Sequence, residues 1–185
     1  MTAASSLRVL LVSGSLRDGS TNTAALRTAA AVAPDGIETE LYAGLATLPH
    51  FNPDDDHDPL PAPVVALRAA IAASDAVLIC TPEYAGAMPG ALKNLLEWTI
   101  GGSEIYRHPV AWVNVSGPAA PTGGADAHDS LRKVLTYAHV ELVEAACRRV
   151  PLERRAIGAD GLVADITVRD QLAGVLTTLA AAAAA

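Results

Sequence analysis

Short uninterrupted apolar runs recur along the chain, and most are followed by a small-residue turn and then a helical pattern. Residues 7–12 (Leu-Arg-Val-Leu-Leu-Val), 76–80 (Ala-Val-Leu-Ile-Cys) and 110–115 (Val-Ala-Trp-Val-Asn-Val) lack the alternation of a half-exposed strand. Such runs predict strands covered on both faces. Residues 37–42 place Glu38 and Glu40 between apolar neighbours, which predicts a half-exposed edge strand. Residues 141–150 are expected to form a fifth strand. Helices are predicted over 22–33, 64–74, 90–100, 125–138 and 165–180. Pro34-Asp35-Gly36 stops the first and Gly101-Gly102 the third. Strands separated by helices or helix-sized pieces predict an α/β fold, with a doubly wound, five-stranded parallel sheet and helices on both faces. No internal repeat or linker is visible, so residues 1–185 are expected to be a single domain. Ligands of such sheets bind beyond the carboxyl ends of the strands, where the strand order reverses. The turns after strands 1, 3 and 4 are therefore the places to search.

Composition narrows the chemistry. With 13 Lys+Arg against 20 Asp+Glu, the formal charge is −7. No basic run exists, which argues against nucleic acid as a partner. Two cysteines, Cys80 and Cys147, supply neither a disulfide framework nor zinc spacing. No apolar segment is long enough for membrane insertion, and the first run lacks the flanks of a signal peptide, so a cytoplasmic location is expected. The 51% hydrophobic fraction is unusual in kind, because only 4% of residues are aromatic. A core built this way needs close helix–sheet packing of small side chains.

The first turn reads Ser13-Gly14-Ser15-Leu16-Arg17-Asp18-Gly19-Ser20-Thr21-Asn22 and runs into a helix. Hydroxyls, a guanidinium and a helix N-terminus together suit an anion, although a capped turn with Ser20 or Asn22 as N-cap reads equally well. The spacing is neither G-x-G-x-x-G nor a phosphate-binding P-loop. The third-strand turn is Thr81-Pro82-Glu83-Tyr84-Ala85-Gly86-Ala87-Met88-Pro89-Gly90, followed by Leu92-Lys93-Asn94. After the fourth strand comes Ser116-Gly117-Pro118-Ala119-Ala120-Pro121-Thr122-Gly123-Gly124.

Taken together, Gly14-Ser15-Leu16-Arg17, Ser20 and Asn22, then Pro82-Glu83-Tyr84, Pro89-Gly90 and Leu92-Lys93-Asn94, resemble the NADPH-dependent FMN reductase family. That family has a flavodoxin-like fold and includes quinone and chromate reductases. The resemblance runs from Leu7 to about Val150. It implies FMN as cofactor and NADPH or NADH as electron donor, with ping-pong hydride transfer from NAD(P)H to FMN and then to a small acceptor: a quinone, azo compound, chromate-like oxyanion or free flavin. It implies FMN contacts from Ser13, Ser15, Leu16, Arg17, Ser20, Thr21 and Asn22 at the phosphate. It also implies contacts from Pro82, Glu83, Tyr84, Ala85 and Gly86 along the ring, flanked by Ser116, Gly117, Gly123 and Gly124. No catalytic side chain is expected, because the cofactor carries the chemistry. A homodimer or homotetramer is implied as well. Ala85 departs from the pattern, standing where many relatives carry Asn.

Other candidates read more plainly. Asp54-Asp55-Asp56-His57-Asp58 is a solvated acidic loop without calcium-loop spacing, so no metal site is expected. Leu48-Pro49-His50-Phe51-Asn52 resembles a family segment near a subunit contact and the flavin edge, while a local core role suits Leu48 and Phe51 nearly as well. His128 and Asp129 read as surface capping and not as an acid–base pair. A one-electron flavodoxin-type carrier is the alternative function. A response-regulator receiver is excluded because Ser13-Gly14-Ser15 and Thr81-Pro82-Glu83 stand where its acidic residues belong.

Overall fold

The computed structural model describes residues 6–117 and 120–185. Pro118 and Ala119, in the turn after the fourth strand, lie outside the described residues. The strands are β1 (Leu7–Ser13), β2 (Ile37–Leu41), β3 (Ala76–Cys80), β4 (Pro109–Asn114), β5 (Glu141–Leu142) and β6 (Arg148–Arg149). The helices are α1 (Thr21–Ala31), α2 (Ala62–Ala72), α3 (Gly90–Glu97), α4 (Ala125–Tyr137) and α5 (Ile166–Ala183). All pairings are parallel, in the order β2-β1-β3-β4-β5, with β6 also on β4.

The fifth strand predicted over 141–150 is broken in two. β5 pairs with Pro109 and Val110, and β6 pairs farther along with Val113 and Asn114. Between them Glu144–Ala146 makes a tight helical turn. Ala146 turns into the core there, while Glu144 is drawn outward into a forked ion pair with Arg132. The predicted end of α3 is also shortened. After Glu97 the chain tightens into three-residue bonds, Thr99 N–H to Leu96 O and Ile100 N–H to Glu97 O.

Burial on both faces explains the continuous apolar strands. Val9, Leu11, Leu78, Ala111 and Val113 face α1 and α5, where Ala25, Ala29, Leu172 and Leu176 pack. Leu10, Val12, Val77, Ile79 and Trp112 face α2, α3 and α4. α1 turns the small side chains of Ala25 and Ala29 to the sheet. Leu92, Leu95, Leu96 and Trp98 are all buried inside this one chain. Phe51 meets Trp98 edge-to-face at 5.0 Å, and its N–H donates to Asn94 Oδ1 at 2.7 Å. Asp56 pairs with Arg68 at 2.7 Å, so one member of the acidic run anchors the long connection to α2.

β1 lies between β2 and β3, so the chain reverses its direction of travel across the sheet at that point. The crevice that this reversal opens lies at the carboxyl ends of β1 and β3.

Candidate functional site

The turn after β1 is an arch built by its own hydroxyls. Ser13 Oγ accepts from Ser15 N–H at 3.3 Å, and Ser15 Oγ accepts from Arg17 N–H at 3.2 Å. These successive side-chain turns explain serine at positions 13 and 15. Ser20 is the N-cap of α1, its Oγ accepting from Thr23 N–H at 3.5 Å, which decides between the two capping readings. Asn22 is buried, with its Oδ1 3.3 Å from Cys80 Sγ. Burial pushes the Cys80 thiol far up and the Cys147 thiol to about 11, so both are protonated and inert at neutral pH.

The turn after β3 is a two-residue hairpin. Tyr84 and Ala87 exchange both backbone hydrogen bonds, at 2.9 and 3.1 Å, across Ala85 (φ 52°) and Gly86 (φ 71°). Two positive φ angles in succession are the requirement that Asn-Gly meets best. Ala85 satisfies it at a cost of about 1–2 kcal/mol. The turn itself thus gives a conformational reason for asparagine at this place, separate from any contact with a ligand.

A buried side chain organises the turn after β4. Asn114 Nδ2 donates to Gly123 O at 2.6 Å, and its Oδ1 accepts from Ser116 N–H at 2.8 Å. Gly124 adopts φ 81°, and a Cβ there would stand 2.6 Å from Ser116 Oγ and 2.8 Å from Asn114 Nδ2. No side chain caps α4 from Gly124. Glu83 serves instead: its Oε2 accepts from Ala127 N–H at 3.3 Å and from Thr122 Oγ1 at 2.6 Å. A carboxylate at a helix start also opposes the positive end of the helix dipole. The Glu83 side chain therefore clasps two turns together.

His128 is a correction to the surface-capping expectation. Its ring packs on Trp112 at 5.4 Å, and its Nδ1 lies 3.3 Å from Asn114 Nδ2. An amide donor on Nδ1 assigns the proton to Nε2, which is buried without a partner among the described residues. Burial, then the Arg149 charge, lowers its pKa to about 4, so the ring is neutral at pH 7.

The three turns meet. Thr21 and Asn22 from the first, Pro82 and Glu83 from the second, and Ser116, Gly117 and Gly124 from the third line one cavity of 240 Å³. Ser13, Ser15, Leu16, Arg17 and Ser20 line the far side of the β1–α1 turn instead. Tyr84, Ala85 and Gly86 stand exposed beside the three-turn cavity, outside its wall. Gly123 lies behind it, close to Arg149. Backbone approaches closely here, since even a Cβ on Gly117 would come within 3.2 Å of Leu152 O. A flat ligand held by main chain fits such a cradle.

The segment after β6 was missed. Leu152 enters the three-turn cavity, Ile157 and Gly161 wall the space beyond the β1–α1 turn, and Arg154 reaches Gly19. Val163 N–H holds the segment to α1 through Thr28 Oγ1 at 2.9 Å. The Glu153-Arg154-Arg155 cluster just past the last strand was the available signal.

An open parallel sheet with this strand-order reversal defines a flavodoxin-like α/β fold. The chain belongs to the NADPH-dependent FMN reductase family, whose model matches residues 7–148. It is 33% identical over 175 residues to NAD(P)H-dependent FMN reductase PA1204 of Pseudomonas aeruginosa, covering 94% of this chain and 93% of that one. It is 31% identical over 181 residues to a quinone reductase of Escherichia coli K12, covering 92% of each. Among solved structures it resembles FerB, a flavoenzyme NAD(P)H:(acceptor) oxidoreductase of Paracoccus denitrificans. The TM-score is 0.82 at 28% identity, with 96% of this chain and 97% of that one covered. A flavodoxin from Pseudomonas aeruginosa, at TM-score 0.59 and 18% identity, shares the fold alone.

Proposed function

We propose that this NAD(P)H-dependent, FMN-binding oxidoreductase seats its cofactor across the three-turn cavity and reduces a small acceptor in a ping-pong cycle. The observation that carries this is the convergence of Asn22, Glu83 and Ser116, from three separate turns, on one cavity at the strand-order reversal. When bound there, FMN supplies the ring that accepts and returns a hydride. The chain's part is to bind, orient and leave access. The first-turn amides of α1 and Ser20 to Asn22 suit the phosphate, with Ser13, Ser15, Leu16 and Arg17 shaping the arch that presents them. Pro82 to Gly86 follow the ring edge, and Ser116, Gly117, Gly123 and Gly124 flank it.

Access favours the reductase over the carrier. Tyr84 is the aromatic residue of the ring-flanking turns among the described residues, and it is 46% exposed. Trp112 lies buried beneath His128 and Arg132. A ring without aromatic cover leaves a face on which nicotinamide and acceptor can stack in turn. Quinones, azo compounds, chromate-like oxyanions and free flavin are the proposed acceptors, in keeping with the quinone reductase among the relatives. No helix among the described residues is long and apolar enough to cross a membrane. We place the protein in the cytoplasm, as one FMN-binding domain over residues 1–185 that assembles into a homodimer or homotetramer. Light scattering on the purified protein tests the assembly.

The cofactor assignment is tested by the absorption spectrum of the purified protein. A yellow protein that releases FMN on denaturation supports it. A colourless protein that gains no visible band after incubation with FMN refutes it.

A further inference from the structure

An open cavity of 670 Å³ lies at the other end of the sheet from the FMN turns. That volume falls within the roughly 300–1,000 Å³ usual for small-molecule sites. Tyr106 and Arg107 reach it just before β4 begins, and His139 and Val140 just before β5. It therefore stands at the amino ends of these strands, whereas the three-turn cavity lies beyond the carboxyl ends of β1, β3 and β4. Its backbone is unusual. Of the three non-glycine residues with positive φ among the described residues, Ala85 belongs to the turn after β3. The other two, Arg107 (56°) and His139 (54°), both line this cavity. They are locked to each other, Arg107 N–H donating to His139 O at 2.9 Å. His139 follows the cap of α4, where Val140 N–H closes the helix onto Leu135 O at 3.3 Å and glycine is the ordinary choice. Large polar side chains held on left-handed backbone point to a task for those side chains.

The wall carries complementary groups. Arg107 and Glu141 both line the cavity, yet neither is paired with the other or with any other charged side chain among the described residues. Tyr106 is 58% exposed in a chain that is only 4% aromatic, and its ring meets His139 edge-to-face at 6.0 Å. A free guanidinium forks onto a carboxylate. A free carboxylate accepts from a hydroxyl, and an aromatic corner takes a flat ring between the two. We propose that this cavity binds a monocyclic aromatic carboxylate that bears a ring hydroxyl, with Arg107 on the carboxylate, Glu141 on the hydroxyl, and Tyr106 and His139 against the ring. The site is separate from the flavin, and its occupancy does not depend on the oxidoreductase reading above.

The test titrates FMN-loaded protein with 4-hydroxybenzoate by calorimetry, with benzoate, 4-hydroxybenzyl alcohol and acetate as controls and the flavin band followed throughout. The expected result is saturable binding of 4-hydroxybenzoate, at least tenfold tighter than any control, while FMN stays bound and its band does not move. In Arg107→Gln that affinity falls tenfold or more. In His139→Gly it falls as well, yet Tm is unchanged or higher, because glycine accepts left-handed backbone freely; a histidine kept for structure alone would instead lower Tm when lost. Four results overturn the proposal: a Kd for 4-hydroxybenzoate weaker than about 1 mM, a control that binds as tightly, a probe that displaces FMN or shifts its band, or unchanged affinity in a folded Arg107→Gln.

Discussion

The two turns that flank the proposed ring site differ in where they are anchored. The tip of the turn after β3 closes through backbone, by the exchanged bonds of Tyr84 and Ala87, and it is exposed. The turn after β4 adds to its own backbone bonds a buried side chain, Asn114, which bonds both ends of the loop. Backbone closure tolerates changes of side chain and costs only local strain. Closure by a buried amide is rigid, and it fails as a unit when the amide is lost. One wall of the site is therefore adaptable and the other is fixed, with Glu83 coupling them.

The largest expected effect breaks the fixed wall. Asn114→Ala strips Gly123 O and Ser116 N–H of their partner, which costs about 1–3 kcal/mol for the buried Gly123 carbonyl left unpaired. Thermal denaturation should show this as a clear drop in Tm, and fluorescence titration should show FMN affinity reduced tenfold or more. An unchanged FMN affinity in the folded variant would mean that the loop is not held by this side chain.

Next in size is a paired substitution that separates space from backbone strain. Gly124 and Gly86 share a positive φ, 81° and 71°. A Cβ on Gly124 meets Ser116 Oγ at 2.6 Å, whereas one on Gly86 meets nothing closer than Asp126 Oδ2 at 3.8 Å. Gly86→Ala should cost about 1–2 kcal/mol of strain. Gly124→Ala should cost more, because it adds the steric contact to the same strain. Equal losses in denaturant unfolding would contradict the asymmetry.

A smaller effect appears on acidification. The folded pKa of His128, about 4, lies below its ordinary 6.5. The unfolded state then takes up the proton first, so stability is complete above pH 6.5 and is lost as pH falls towards 4. His108, lowered by burial, adds to the same trend. In His128→Asn, the slope of stability against pH in that window should flatten without vanishing.

The smallest effect is a gain. Ala85→Asn places in the exposed turn a residue that tolerates positive φ, and it should stabilise the protein by up to about 1 kcal/mol. A loss of stability would show that Ala85 is not strained.

Much of this was legible in the sequence because its causes are local. β3 was bounded at Ala76 and Cys80, since buried runs stop where polar turns begin. The three turns could be nominated from strand order and residue type alone. Long-range pairing was not visible. Nothing near Glu83 announces that it caps a helix more than 40 residues away, and a buried asparagine within Trp-Val-Asn-Val looks like an ordinary strand residue. The break in the fifth strand buries Ala146 in the core and sets Glu144 against Arg132, contacts that no local pattern encodes. His128 was misread for the same reason, because its neighbours Trp112 and Asn114 come from the sheet.

The central claim is that the open-faced cavity between these walls serves an NAD(P)H-dependent flavin reductase. Adding NADPH, or NADH if NADPH is inert, to FMN-loaded protein without oxygen tests it most directly. The account predicts that the visible flavin band is lost within mixing and returns when a quinone is added. A band that persists under excess of either nucleotide would contradict it.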